Sequence, residues 1–165
     1  MPPQDLPRSP VPDAVVFTSI GHVRGGRGEA TKDDWGGERS TIVLDAARFS
    51  PDALAGLAEF SHLMVVFYFH IAADEPVETG ARHPRGRADW PRVGIFAQRG
   101  RMRPNRIGVS IASIVGIDGL TITLAGLDAV DGSPVLDLKP VFSGYAPRGE
   151  LVEPAWARAI MANYW

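Results

Sequence analysis

Residues 63–71 read LMVVFYFHI. The run is nearly all apolar and dense in β-branched and aromatic side chains, which fits a pleated strand better than a helix. It is far shorter than the roughly 20 residues a membrane-crossing helix needs. It therefore predicts a strand inside the fold, covered on both faces. The rest of the chain follows the same grammar. Residues 14–23, 40–45, 93–98, 107–115 and 135–138 are further short β-rich segments. Across residues 120–128, Leu120, Ile122 and Leu124 alternate with Thr121, Thr123 and Ala125, the period of a strand with one buried face. Asp118–Gly119 and Asp131–Gly132 are tight-turn signals between these segments. Helices are expected at two places only. One starts at Ser50, with Pro51 at the first helical position, and turns Leu54, Leu57 and Phe60 inward; the other covers residues 154–164. Six or seven strands, few helices and no βαβ alternation predict a mainly β fold, a closed or nearly closed barrel with one or two short helices.

A chain of 165 residues suffices for one domain with a real core. Residues 1–12 hold five prolines and no apolar core, so residues 1–13 are expected to be a disordered leader and residues 14–165 a single barrel domain. There is no cysteine, which removes disulfides, thiolate metal sites and cysteine nucleophiles together. With no apolar run of membrane length, the expectation is a cytoplasmic protein without a membrane partner.

The net charge of −2 hides a strong asymmetry. Residues 82–106 carry eight arginines against the single acid Asp89, so this stretch is +7 and the remainder −9. Such a stretch is either a solvated loop or a phosphate-binding surface. All eight cations are arginine, whose planar fork suits bidentate contacts to phosphates and base edges. Residues 74–90 read as a long polar loop.

Gly25-Gly26-Arg27-Gly28 lacks the third glycine of a dinucleotide fingerprint and reads as a flexible turn. The four histidines show no metal-ligand spacing: His62 and His70, eight residues apart on one strand, would stand about 27 Å apart. The informative stretch is residues 94–110, GIFAQRGRMRPNRIGVS. Arginines stand between two strands, Pro104 fixes the backbone, Asn105 tolerates turn geometry, and Gly108 lets a backbone or a ligand approach closely. Downstream, Asp128, Asp131 and Asp137 crowd a Gly–Pro turn. Their carboxylates can accept ribose hydroxyls or can cap the turn.

Those segments carry a family likeness. Residues 94–110 resemble the signature G-[VI]-F-A-T-R-S-x-x-R-P-N-P-I-G-x-S of the TsaA-like (TrmO) family. Residues 128–140 resemble its D-x-x-D-G-T-P-V-x-D-I-K-P segment, residues 60–70 (FSHLMVVFYFH) its F-S-H-L-W-x-L-F-x-F-H strand, and Ile20-Gly21 the opening of its first strand. The likeness implies a single-sheeted β-barrel that pairs as a homodimer and binds S-adenosyl-L-methionine near the subunit interface. It implies methylation of the exocyclic amine of threonylcarbamoyladenosine beside a tRNA anticodon. Carried over by position, the cofactor contacts would be His70, Ile71, Arg99, Val109, Leu127, Asp128, Ala129, Val130 and Asp131. Asp34, Trp35 and Gly36 stand where the family has P-R-Q or P-W-Q. Arg101, Arg103, Asn105 and Arg106 would face the RNA, and no metal is implied.

Methyl transfer from a sulfonium needs in-line positioning and a pocket that accepts a cation, with little acid–base help. The chain departs from the signature at Gln98, Gly100, Arg101 and Arg106, the last standing where the family has a second proline. Three readings follow: a tRNA methyltransferase, a methyltransferase of the same fold acting on a small molecule, and a non-catalytic cofactor- or RNA-binding module.

Overall fold

The computed structural model describes residues 12–165; the leader expected over residues 1–13 lies outside them apart from Pro12 and Asp13. The strands are β1 (Gly21–Arg24), β2 (Arg39–Leu44), β3 (His62–Tyr68), β4 (Ala81–Arg82), β5 (Val93–Gly94), β6 (Ile107–Asp118), β7 (Thr121–Ala125) and β8 (Pro134–Pro140), and one α-helix, α1, spans Ala155–Met161. Six strands close a barrel in the order β1-β2-β7-β6-β3-β8, while β4 and β5 form a separate pair.

Every neighbouring pair is antiparallel. Closure satisfies each strand on both sides and leaves no edge. The β6–β7 hairpin turns through Gly119 and Leu120, with Asp118 opposite Thr121. Gly119 takes φ 55°, which the Asp–Gly signal anticipates.

Alternation sends one face of each strand inward. Leu63, Val65 and Phe67 of β3 meet Ile42 and Leu44 of β2, Ile122 and Leu124 of β7, Val23 of β1 and Val135 of β8 in one core. Each fully buried aliphatic contributes about 1.5–3 kcal/mol. Strand β3 is thus one-sided: Met64, Val66 and Tyr68 are only half-buried, because a barrel has a single interior and the outer residues need only be apolar enough to tolerate partial cover.

Other boundaries shift. The segment at residues 14–23 forms a strand only from Gly21, and Val16 is 92% exposed. Residues 93–98 pair for two residues before a 3₁₀ turn takes over at Ile95–Ala97. The helix expected from Ser50 is two 3₁₀ turns, Pro51–Leu54 and Leu57–Glu59, broken by Gly56 at φ 79°. The polar loop at 74–90 contains β4, which pairs with β5.

Candidate functional site

Antiparallel closure gathers particular chain segments at one mouth of the barrel. The ends of β1, β3 and β7 and the starts of β2, β6 and β8 all lie there. The loops joining them are residues 25–38, residues 69–106 and residues 126–133.

The first of these loops is pinned by two arginines. Arg27 donates to Glu38 Oε1 at 2.6 Å and to the Asp33 carbonyl at 2.8 Å, and also to Thr31 Oγ1 and the Asp34 carbonyl. Its guanidinium lies 4.7 Å from the centroid of the Trp35 ring, a cation–π distance. Arg85 forks onto both Asp33 oxygens, at 2.9 and 2.7 Å, and reaches the Lys32 carbonyl at 2.9 Å. This hydrogen bonding holds the Asp33 carboxyl below the usual carboxylate range. The turn at residues 25–28 is therefore tied down on one side of its glycines. Gly25 and Gly26 supply the left-handed backbone, and the Gly25 N–H donates to Asp131 Oδ1 at 2.9 Å.

Asp34, Trp35 and Gly36 lie against the C-terminal residues. The Asp34 and Trp35 N–H groups donate to the carbonyls of Asn163 and Tyr164 at 2.9 and 2.7 Å. A Cβ on Gly36 would stand 2.6 Å from the carbonyl carbon of Trp165, so only glycine permits this approach. The Trp35 side chain is buried, and its Nε1 has no hydrogen-bond partner.

The structure separates the three carboxylates of the Gly–Pro turn. Asp131 caps the Gly25 turn. Asp137 accepts the N–H of Leu138 and pairs with Lys139. Asp128 takes the hydroxyl of Tyr164 on Oδ2 at 2.5 Å, while its Oδ1 is buried without a partner. Burial, and then the charge of Asp128, push the Tyr164 hydroxyl well above the usual tyrosine range, so it remains a donor. Leu127 and Ala129 flank Asp128 and are buried in the barrel core, and Val130 is buried too. The ring of His70 faces Gly132, whose added Cβ would lie 3.6 Å from Nε2, and its Nδ1 is buried and unpartnered. Arg99 donates to the Val109 carbonyl at 2.5 Å. Ile71, beside His70, is 41% exposed.

Most of the arginine stretch is engaged internally. Arg101 pairs with Glu75 at 2.8 Å, Arg103 donates to the Gln98 carbonyl, and Arg106 holds the carbonyls of Ala72 and Glu75. Arg87 pairs with Asp89, and Arg92 donates to the Ala81 carbonyl. Asn105 is exposed, with φ 63°. Gly108 is needed for a protein neighbour: a Cβ there would lie 2.5 Å from Phe67 Cζ. Three contributors were not legible in advance. Arg27 and Arg85 looked like parts of a turn and a charge run, and Tyr164 carried no signal beyond its place after a helix.

Of the five buried side-chain polar atoms without a partner among the described residues, Trp35 Nε1, His70 Nδ1 and Asp128 Oδ1 belong to these mouth segments. Such atoms are exceptions in folded proteins and call for a partner. The family model described as "tRNA-methyltransferase O N-terminal domain" matches residues 33–146. The chain belongs to this family. The tRNA (adenine(37)-N6)-methyltransferase of Escherichia coli K12 is 39% identical over 112 residues, covering 64% of this chain and 45% of the relative. The putative S-adenosylmethionine-dependent methyltransferase RcsF of Pseudomonas aeruginosa PAO1 is 38% identical over 117 residues, 71% of this chain and 48% of its own length. The crystal structure of TrmO from P. aeruginosa superposes with a TM-score of 0.69 at 27% identity, covering 87% of this chain and 62% of that one. The chain thus spans less than half the length of these two sequence relatives. No helix among the described residues is long and apolar enough to cross a membrane.

Proposed function

We propose that the barrel mouth binds S-adenosyl-L-methionine and that the domain transfers its methyl group to the N6 amine of adenine 37 in tRNA, in the form of threonylcarbamoyladenosine. The observation that carries the reading is Asp128 Oδ1, a buried carboxylate oxygen without a partner, on one of the three mouth loops; His70 Nδ1 and Trp35 Nε1, on the other two, are buried and unpartnered as well. These donors and acceptors fit a nucleoside. A carboxylate oxygen accepts a ribose hydroxyl, an indole N–H donates to a ring nitrogen or carboxylate, and an imidazole nitrogen does either. Leu127 and Ala129, on either side of Asp128 in the chain, are anchored in the barrel core and hold its segment in place. Arg99, exposed and anchored on Val109, has donors left over for the cofactor's carboxylate. When bound, the sulfonium supplies an activated methyl group. The Asp128 carboxylate favours its positive charge. The names of the E. coli and P. aeruginosa relatives support the reaction class.

The outer face of β6 exposes Val109, Ile111 and Val115 at 37%, 48% and 49%. This apolar stripe supports a homodimer with Val109 close to the subunit boundary. A cytoplasmic location follows from a tRNA substrate. A small-molecule acceptor is favoured by one observation, the internal engagement of Arg101, Arg103 and Arg106, which leaves fewer free cations for phosphate. Calorimetry with S-adenosylmethionine, followed by mass spectrometry of tRNA nucleosides from a deletion strain, tests the proposal. Binding together with loss of methylated threonylcarbamoyladenosine supports it. Binding with unchanged tRNA methylation leaves the small-molecule acceptor, and no binding at millimolar cofactor overturns both.

A further inference from the structure

The C-terminal residues are built into the mouth. Asn163 and Tyr164 accept from the N–H groups of Asp34 and Trp35, and Gly36 is the residue that lets Trp165 come so close. The Tyr164 ring packs edge-on against Trp165 at 4.9 Å. Its hydroxyl, 36 residues along the chain from Asp128, donates to Oδ2 of that carboxylate at 2.5 Å. One oxygen of Asp128 is therefore committed and the other is not.

A carboxylate on two rotatable bonds presents many orientations to a ligand. One fixed by a strong donor at one oxygen presents a single acceptor in a single direction, and fixing it in advance removes an entropic cost from binding. We infer that Tyr164 is a positioning residue for ribose recognition: by holding Asp128 Oδ2 it sets Oδ1 as the acceptor for a ribose hydroxyl of the bound nucleoside. The inference rests on the S-adenosylmethionine reading above and adds to it a residue outside the segments that carry the family signature.

The test is calorimetry on the full chain with S-adenosylhomocysteine and its 2′-deoxy and 3′-deoxy counterparts. The readout is the ratio of affinities, which a general loosening of the fold would leave unchanged. The wild-type protein is expected to prefer the ribose form over one deoxy form by about tenfold or more, the scale of a hydrogen bond to a charged group. Tyr164→Phe keeps the ring and its packing and removes only the hydroxyl; the ratio should fall several-fold towards one. Asp128→Asn should lower the ratio as well, and adding Tyr164→Phe to it should change nothing further, the non-additivity of two residues acting through one contact. A wild-type ratio in Tyr164→Phe, or additive losses in the double variant, overturns the inference while leaving the cofactor reading intact. Equal binding of all three ligands by the wild-type protein overturns ribose recognition by Asp128 and the inference with it. No binding of any ligand overturns the cofactor reading itself.

Discussion

Arg85 and Asp33 stand 52 residues apart in the chain and meet as a two-pronged ion pair, with N–O distances of 2.9 and 2.7 Å. The contact ties the stretch around residue 85 to the loop that carries Asp34 and Trp35. Arg85 adopts φ 54° to make it, a backbone state that non-glycine residues occupy only when their surroundings insist.

This pair should leave a signature in acid. Asp33 is held below the usual carboxylate range by Arg85. A lowered folded-state pKa stabilises the fold above the unfolded value of about 3.9, and the stabilisation is lost as pH falls through the folded value. The loop is therefore expected to be clamped at neutral pH and released only as the pH falls below the ordinary carboxylate range, through the lowered value of Asp33. Arg85→Met should weaken cofactor binding at pH 7 by about threefold or less, since the pair is part-exposed, and should flatten the acid limb of the stability profile. Binding and thermal melts between pH 3 and 7 check this.

Arg106 occupies φ 48° where the related signature has proline, and proline is locked near −65°. The chain's departure at this position is thus a different local backbone, used to hold the carbonyls of Ala72 and Glu75. Arg106→Pro should cost about 3 kcal/mol, read as a melting temperature lower by roughly 6–12 °C. Arg106→Lys keeps the backbone and should cost much less.

Gly108 faces the Phe67 ring with no room for a methyl group; three ring atoms would lie within 2.9 Å of an added Cβ. Gly108→Ala should destabilise by about 1–3 kcal/mol through overpacking. A companion Phe67→Leu should relieve the clash, so the double variant should lose less than the sum of the single losses in chemical denaturation.

The arginines should divide by what they already hold. Arg101, committed to Glu75, should affect melting temperature more than RNA affinity when changed to alanine. Arg82 is half-buried, its guanidinium lies beside Gly100, and that guanidinium makes no hydrogen bond among the described residues. Arg82→Ala should weaken tRNA binding and reduce the slope of log affinity against log salt by about one. Filter binding across a salt series distinguishes the two.

The barrel was legible because its signals are local. Alternation at Leu120–Thr121–Ile122 and the Asp118–Gly119 turn each need only a few neighbouring residues to specify them. The strand at residue 93 was overestimated because Val93, Ile95 and Phe96 suit a strand, yet Ile95 is buried from a 3₁₀ turn instead. The Ser50 helix failed at Gly56, whose left-handed backbone ends the turn that Pro51 starts. At the site, the motif residues were visible, but the roles of the carboxylates were not. Nothing in the spacing of Asp128 and Asp131 tells which one meets Gly25 and which Tyr164, because those partners come from a distant turn and the C-terminal segment; only the Asp137–Lys139 pair is local, two residues apart on β8.

The most direct test of the central claim is methyl transfer by the purified chain itself. Incubation with tRNA carrying threonylcarbamoyladenosine and methyl-labelled S-adenosylmethionine, followed by nucleoside mass spectrometry, should place the label on N6 of that adenosine and should lose it in Asp128→Asn. A chain that binds the cofactor yet leaves this nucleoside unlabelled would contradict the account.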